Sequence, residues 1–176
     1  MIIINNARIF NGEKELEENS VIIENNIIKE VGSNFTSSKN SKIIDAKGNF
    51  LMPGLIDAHF HANTPSYDFY ASDRMPAALI AAHAAQILTG VLKRGYTTIR
   101  DAGGGDIGLK LALDAKLIDG PRFFYPGKAI TQTGGHGDFR QRHDRSDPCA
   151  RWHPLMPPPA IADGVTQVRQ AAREQL

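Results

Sequence analysis

The hydrophobic and polar positions of this chain change rhythm once, near Pro53. Up to residue 52, short β-branched runs alternate with polar turn pairs: Ile2 to Phe10 leads into Asn11-Gly12, Val21 to Glu24 into Asn25-Asn26, and Ile27 to Val31 into Gly32-Ser33-Asn34. Asn and Gly between such runs are hairpin chemistry, because both tolerate positive φ. Thr36 to Ser41 reads as a polar loop, and Ile43-Ile44 and Phe50-Leu51-Met52 as two further strands around Lys47-Gly48. So few short strands bury little apolar surface and would be marginal alone.

From Pro53 onward strand and helix patterns alternate. Leu55-Ile56 opens a strand that closes on Asp57, His59 and His61. A helix is predicted between Asp73 as N-cap, with Pro76 in the first turn, and Lys93-Arg94 with Gly95 at the C′ position. Thr97 to Asp101 is a second strand running into Gly103-Gly104-Gly105; Ile107 to Ile118 is a second helix stopped by Gly120-Pro121. Arg122 to Ile130 is a third strand, bent at Pro126-Gly127. After a glycine-rich loop, Thr131 to Asp138, and a charged, proline-rich excursion from Phe139 to Asp163, a last helix is capped by Asp163 with Val165, Val168 and Ala172 as its apolar stripe.

Composition narrows the class without choosing a function. The 176 residues, 41% hydrophobic and 22% charged, suffice for one ordinary globular core. A formal charge of +1 lacks the basic face that nucleic acid demands. Cys149 stands alone, so no internal disulfide forms and a reducing cytoplasm fits. The opening Met1-Ile2-Ile3-Ile4-Asn5-Asn6 turns polar too soon for a secretory segment, and Ala77 to Leu92 is too short and too interrupted, by His83 and Gln86, to span a bilayer. The expectation is a soluble cytoplasmic protein with a small-molecule substrate and neither nucleic-acid nor membrane partner; the residues leave a homo-oligomer open.

The chemistry-bearing residues cluster in two places. Side chains two apart on a strand project to one face, so His59 and His61 form a ready chelate, and neutral imidazole is a common metal ligand. Leaving both unpaired in a dry core would be costly. Asp57 shares the same parity and stands as a third polar group on that face, or as a residue that orients a ligand His from behind or serves a structural role. In the second cluster, His136 sits between Gly135 and Gly137 and is followed by Asp138, where glycines let the chain bend tightly around a ligand. Tyr67, Phe69 and Tyr70 either contact substrate or pack their loop down. Arg140, with Arg142, Arg145 and Arg151 beyond it, either receives a substrate carboxylate or forms solvated surface with His143 and Trp152. Three features carry less. Cys149 and His153 lack the second pair of a zinc motif, His83 reads as packing or surface, and Gly103 to Gly105 match no phosphate-loop pattern, so close backbone passage is the expected role.

Pro53-Gly54-Leu55-Ile56-Asp57-Ala58-His59-Phe60-His61 resembles the first barrel strand of the amidohydrolase superfamily, metal-dependent hydrolases built on a TIM barrel. Thr133-Gly134-Gly135-His136-Gly137-Asp138 resembles the Xaa-Pro dipeptidase (prolidase)-like branch, neighbours of the imidazolonepropionases. The resemblance implies an α/β fold: residues 53–176 as about the first three βα units of a (β/α)8 barrel, and residues 1–52 as part of a small composite β-sandwich. It implies His59 and His61 as ligands of one or two divalent ions, zinc foremost, and His136 as a residue on the substrate carbonyl side. Tyr67, Asp138 and Arg140 become candidates for the substrate loops. The family's bridging lysine, its two later histidines and its aspartate base belong to strands four, five, six and eight; Lys110, Lys116 and Lys128 do not stand in a matching context. The implied activity is hydrolysis of C–N bonds in small substrates, Xaa-Pro dipeptides first, by a metal-activated water. Two alternatives stand beside it: a non-catalytic half that binds at most one metal or needs a complementing chain, and a cyclic-amide hydrolase.

Overall fold

The computed structural model describes residues 1–36, 41–68, 71–72, 75–138, 140 and 159–176, and the chain divides into two compact units, Met1–Pro53 and Gly54–Leu176. The expected contributions of Phe69, Tyr70, Asp73, Arg142, His143, Arg145, Cys149, Arg151, Trp152 and His153 lie outside the described residues.

The first unit holds a four-stranded sheet and a two-stranded one. Strands β1 (Ile2–Asn5), β3 (Ser20–Glu24), β4 (Ile27–Gly32) and β5 (Lys42–Asp45) lie in the order β4-β3-β1-β5, with β1 antiparallel to β3 and parallel to β5. The β3–β4 hairpin turns on Asn25 and Asn26 at φ 51° and 63°, the paired left-handed geometry that matches strand twist. The expected first strand is broken: Asn6 adopts φ 55°, separating β1 from β2 (Arg8–Ile9), which pairs in parallel with β6 (Phe50–Leu51). Ala7, Ile9 and Val21 form the small core, with Leu16, Ile23 and Leu51 against it.

The second unit is a parallel three-stranded sheet, β7 (Leu55–Phe60), β8 (Tyr96–Asp101) and β9 (Arg122–Phe124) in that order, joined by crossovers through α1 (Ala77–Lys93) and α2 (Ile107–Asp114). Helix α1 buries Ile80, Ala84, Leu88 and Val91, a three-and-four spacing that lays one stripe against the sheet. Ala84, Leu88 and Val91 share a cluster with Ile99, Leu109 and Phe123. Gly95, at φ 92°, stops α1, and its carbonyl accepts the Leu55 N–H at 2.9 Å, so the helix stop also starts the sheet. Asp106 caps α2 by accepting the Leu109 N–H at 3.0 Å.

Two boundaries and one buried face depart from the sequence pattern. Helix α2 ends at Asp114, not Ile118, because Lys116 enters the left-handed region at φ 55°. The third strand splits into β9 and β10 (Ile130–Thr131) around Gly127 at φ 73°, and β10 pairs in parallel with β11 (Ala160–Ile161). The last helix, α3 (Gly164–Arg173), starts after Asp163 as expected but buries Ala171; Val165 and Val168 are 75% and 42% exposed and Ala172 is exposed too. The reason is its docking: Gln175, just beyond it, accepts the Lys128 N–H at 2.8 Å, and Ala171 rather than the valine stripe turns inward.

Leu88 is fully buried at the centre of the α1–sheet contact. Leu88→Ala is expected to destabilise the second unit by about 2–5 kcal/mol, whereas Leu111→Ala, at a half-exposed position, stays within about 0.5 kcal/mol; chemical denaturation of both variants checks the contrast.

Candidate active site

The end of β7 is where the local sequence becomes chemistry. Two irregularities shape this strand. At its start one extra residue lies on β8: Leu55 pairs with Tyr96 but Ile56 with Thr98, and the Thr97 side chain folds over Gly54, where a Cβ would sit 2.1 Å from its Oγ1. Only glycine fits there. Near its end the extra residue lies on β7: Asp57 pairs with Ile99 but Phe60 with Asp101. This bulge interrupts the simple alternation expected over Asp57, His59 and His61. Asp57 is level with the core residue Ile99, and its Oδ1 accepts the His59 N–H at 3.0 Å, serving the strand's own backbone. Phe60 packs on the core cluster, while His59 and His61, flanking it, are both exposed.

The two imidazoles do come together. Their ring centroids are 5.3 Å apart at an interplanar angle of 74°. His61 Nδ1 lies 2.9 Å from the carbonyl oxygen of Gly103, and since a carbonyl only accepts, this contact puts a proton on Nδ1, so that in the neutral ring Nε2 carries the free lone pair. Two exposed imidazoles, one facing a backbone carbonyl through its inner nitrogen, are in their neutral form a donor set suited to zinc or a similar divalent ion. Among the described residues no third His, Cys, Asp or Glu joins them in a group able to hold a metal.

Beneath the pair lies a residue that sequence reading passed over. Asp101 closes β8 and is fully buried. Its Oδ2 accepts the Ala62 N–H at 2.7 Å, and its Oδ1 accepts the N–H groups of Gly103 at 2.9 Å and Gly105 at 3.2 Å. Burial pushes its carboxyl pKa up, opposed in turn by the N–H groups of Ala62, Gly103 and Gly105 and by the neighbouring His61. The glycines after it are needed for close passage: a Cβ on Gly105 would stand 2.8 Å from the Asp101 carboxylate and from Phe123, and one on Gly103 would stand 2.9 Å from the Ala129 Cβ. The sequence carries only a faint signal for it, an acidic residue that ends a β-branched strand and is separated by Ala102 from the glycines whose N–H groups it takes. Asn63, also buried, donates from Nδ2 to the Gly104 carbonyl at 2.9 Å and ties the same two loops.

The loop after β10 is built on side-chain anchors. Thr133 donates from its N–H to Asp163 Oδ1 at 2.9 Å and from its hydroxyl to the other carboxylate oxygen. Asp163 therefore occupies the cap position of α3 without capping it, and its pKa is held down chiefly by the Thr133 hydroxyl. The Gly134 N–H donates to Asp138 Oδ2 at 2.8 Å. Arg140 grips the same carboxylate with Nε and Nη2, each at 2.7 Å, and holds Asp138 well below the usual carboxylate range. Asp138 is 5% exposed and Arg140 47%, so the two candidate substrate residues are each other's partners and only the guanidinium reaches solvent. His136 is exposed at the tip of this loop, and Tyr67 is fully exposed rather than packed down.

The chain is similar in sequence and in structure to known proteins. Over 139 residues the chain is 33% identical to ochratoxinase of Aspergillus niger, an alignment covering 72% of this chain and 28% of that protein. A 70-residue stretch is 39% identical to dihydroorotase of Clostridioides difficile, 39% of this chain and 17% of that one. The structure matches a prolidase complexed with N-methylphosphonate-L-proline at a TM-score of 0.86 and 37% identity, covering 99% of this chain and 43% of the prolidase. The chain thus spans less than half the length of each of these relatives. Residues 50–176, which carry both the histidine pair and the His136 loop, match the amidohydrolase family, and the chain belongs to that family of generally metal-dependent hydrolases of C–N bonds.

Proposed function

We propose that this chain forms the metal-binding first part of an amidohydrolase barrel that cleaves small amides, foremost dipeptides with a C-terminal proline. The observation that carries the reading is the His59–His61 pair, 5.3 Å between centroids, with His61 fixed by the Gly103 carbonyl. The prolidase likeness, which extends over 99% of the chain, supports the Xaa-Pro substrate. The exposed apolar side chains Ile56 and Phe124 on strands of a parallel sheet support barrel closure, since such sheets are ordinarily covered on both faces.

In this reading His59 and His61 hold a divalent ion, zinc in the first instance, and Asp57 braces the His59 backbone. When bound, the ion supplies Lewis acidity toward the scissile carbonyl and a water that is nucleophilic at neutral pH. His136, presented by Gly135 and Gly137, donates a hydrogen bond to the substrate carbonyl oxygen. Arg140 has three N–H groups beyond the two that Asp138 engages, and these suit the carboxylate of a dipeptide. Tyr67 borders the substrate. A second reading, a cyclic-amide hydrolase, draws on the dihydroorotase likeness; turnover of dihydroorotate in preference to Xaa-Pro dipeptides would favour it.

Replacing both His59 and His61 by Ala in the full-length protein is expected to remove bound metal and turnover together, measured by elemental analysis and by proline release; unchanged metal stoichiometry would overturn the ligand assignment. His136→Ala is expected to keep the metal and lower kcat by about 100-fold. Loss of metal in that variant would make His136 a ligand instead.

A further inference from the structure

We infer that Asp101 is the positioning residue of the histidine pair: working through Gly103 and Ala62, its buried carboxylate fixes the ring orientation and tautomer of His61. The inference rests on the ligand reading above only for the use of the ring, not for its geometry. Asp101 holds His61 from two sides. On the chain side, Oδ2 takes the N–H of Ala62, the residue directly after His61, so the backbone leaving the histidine is anchored at 2.7 Å. On the ring side, Oδ1 takes the N–H groups of Gly103 and Gly105 and so orients the turn in which the Gly103 carbonyl faces His61 Nδ1 at 2.9 Å. One carboxylate thereby sets both where the imidazole is rooted and what its inner nitrogen meets.

The arrangement has little slack. Asp101 has no exposed surface, Ala62 is fully buried, and the Cβ positions of Gly103 and Gly105 are already occupied by Ala129, Asp101 and Phe123. All three bonded groups are donors, so only an acceptor with two free oxygens satisfies them. Asparagine has the same volume but offers one oxygen; in either orientation its NH2 faces an N–H donor, at Ala62 or at the glycine pair. The turn must then shift, and the Gly103 carbonyl leaves His61.

Two readouts test this in the full-length protein. Nitrogen-15 NMR of the metal-free protein, above the imidazole titration, is expected to show His61 protonated on Nδ1; protonation on Nε2 would overturn the inference with no variant needed. Asp101→Asn is expected to shift His61 toward the Nε2-protonated form and to weaken Co2+ binding at the pair by about tenfold or more, the size usual for partners that orient metal-ligating histidines. Leu109→Ala, a cut in the same core that removes none of the hydrogen bonds made by Asp101 or His61, controls for general loosening and should move neither readout; equal effects from the two variants would overturn the positioning role, as would an Asp101→Asn protein with native tautomer and affinity. Should Co2+ binding survive the loss of both histidines while Asp101→Asn still shifts the His61 tautomer, the positioning role stands and the ligand assignment falls.

Discussion

A single buried carboxylate, that of Asp101, joins the pieces on which the candidate site depends. It sits at the end of the central strand β8 and accepts N–H groups from the end of β7 and from the turn that opens toward α2. Taking a carboxylate out of water is costly, and three backbone donors are what makes this tolerable; without the carboxylate those N–H groups would in turn be buried and unsatisfied. Charge and nest thus require each other, and the exposed imidazoles inherit their placement from that mutual requirement.

The surrounding sequence serves the same close approach. Thr97 bulges over Gly54, Asp57 bonds the His59 N–H within the second bulge, and Phe60 points into the core while its histidine neighbours point out. Bulges beside functional sites re-aim side chains, and here the second one puts the two histidines on the open side of the sheet while Asp57 stays level with the core. Ligand placement at this strand is therefore a tertiary outcome shared by β7 and β8.

Much of this was legible in the sequence where the signal was local. Asn25-Asn26 announced the hairpin, Gly95 the end of α1, and the pair spacing of His59 and His61 their convergence, since each depends on residues within a few positions. What escaped depended on distant partners. Asp57 left the shared face because β7 gains a residue relative to β8, which alternation within one strand cannot reveal. Asp101 looked like an ordinary strand terminus because its three partners are backbone groups, hinted at only by the glycines that follow. Val165 and Val168 form a helical stripe by spacing, yet α3 turns Ala171 inward because its anchor is the contact of Gln175 with Lys128.

The pairing of β1 with β5 has a kinetic consequence. Ile2 to Asn5 align in parallel with Lys42 to Asp45, so β1 meets one of its two neighbours only after some forty further residues have been made. The β3–β4 hairpin, closed by two asparagines, needs no such wait. Loop-closure entropy makes the local hairpin the early event and the parallel pairing the late one. In the interval one edge of β1, with its three consecutive isoleucines, offers unpaired backbone groups to any strand nearby. The unit's exposure to misassociation is thereby concentrated at its N-terminal strand and in the time before β5 arrives.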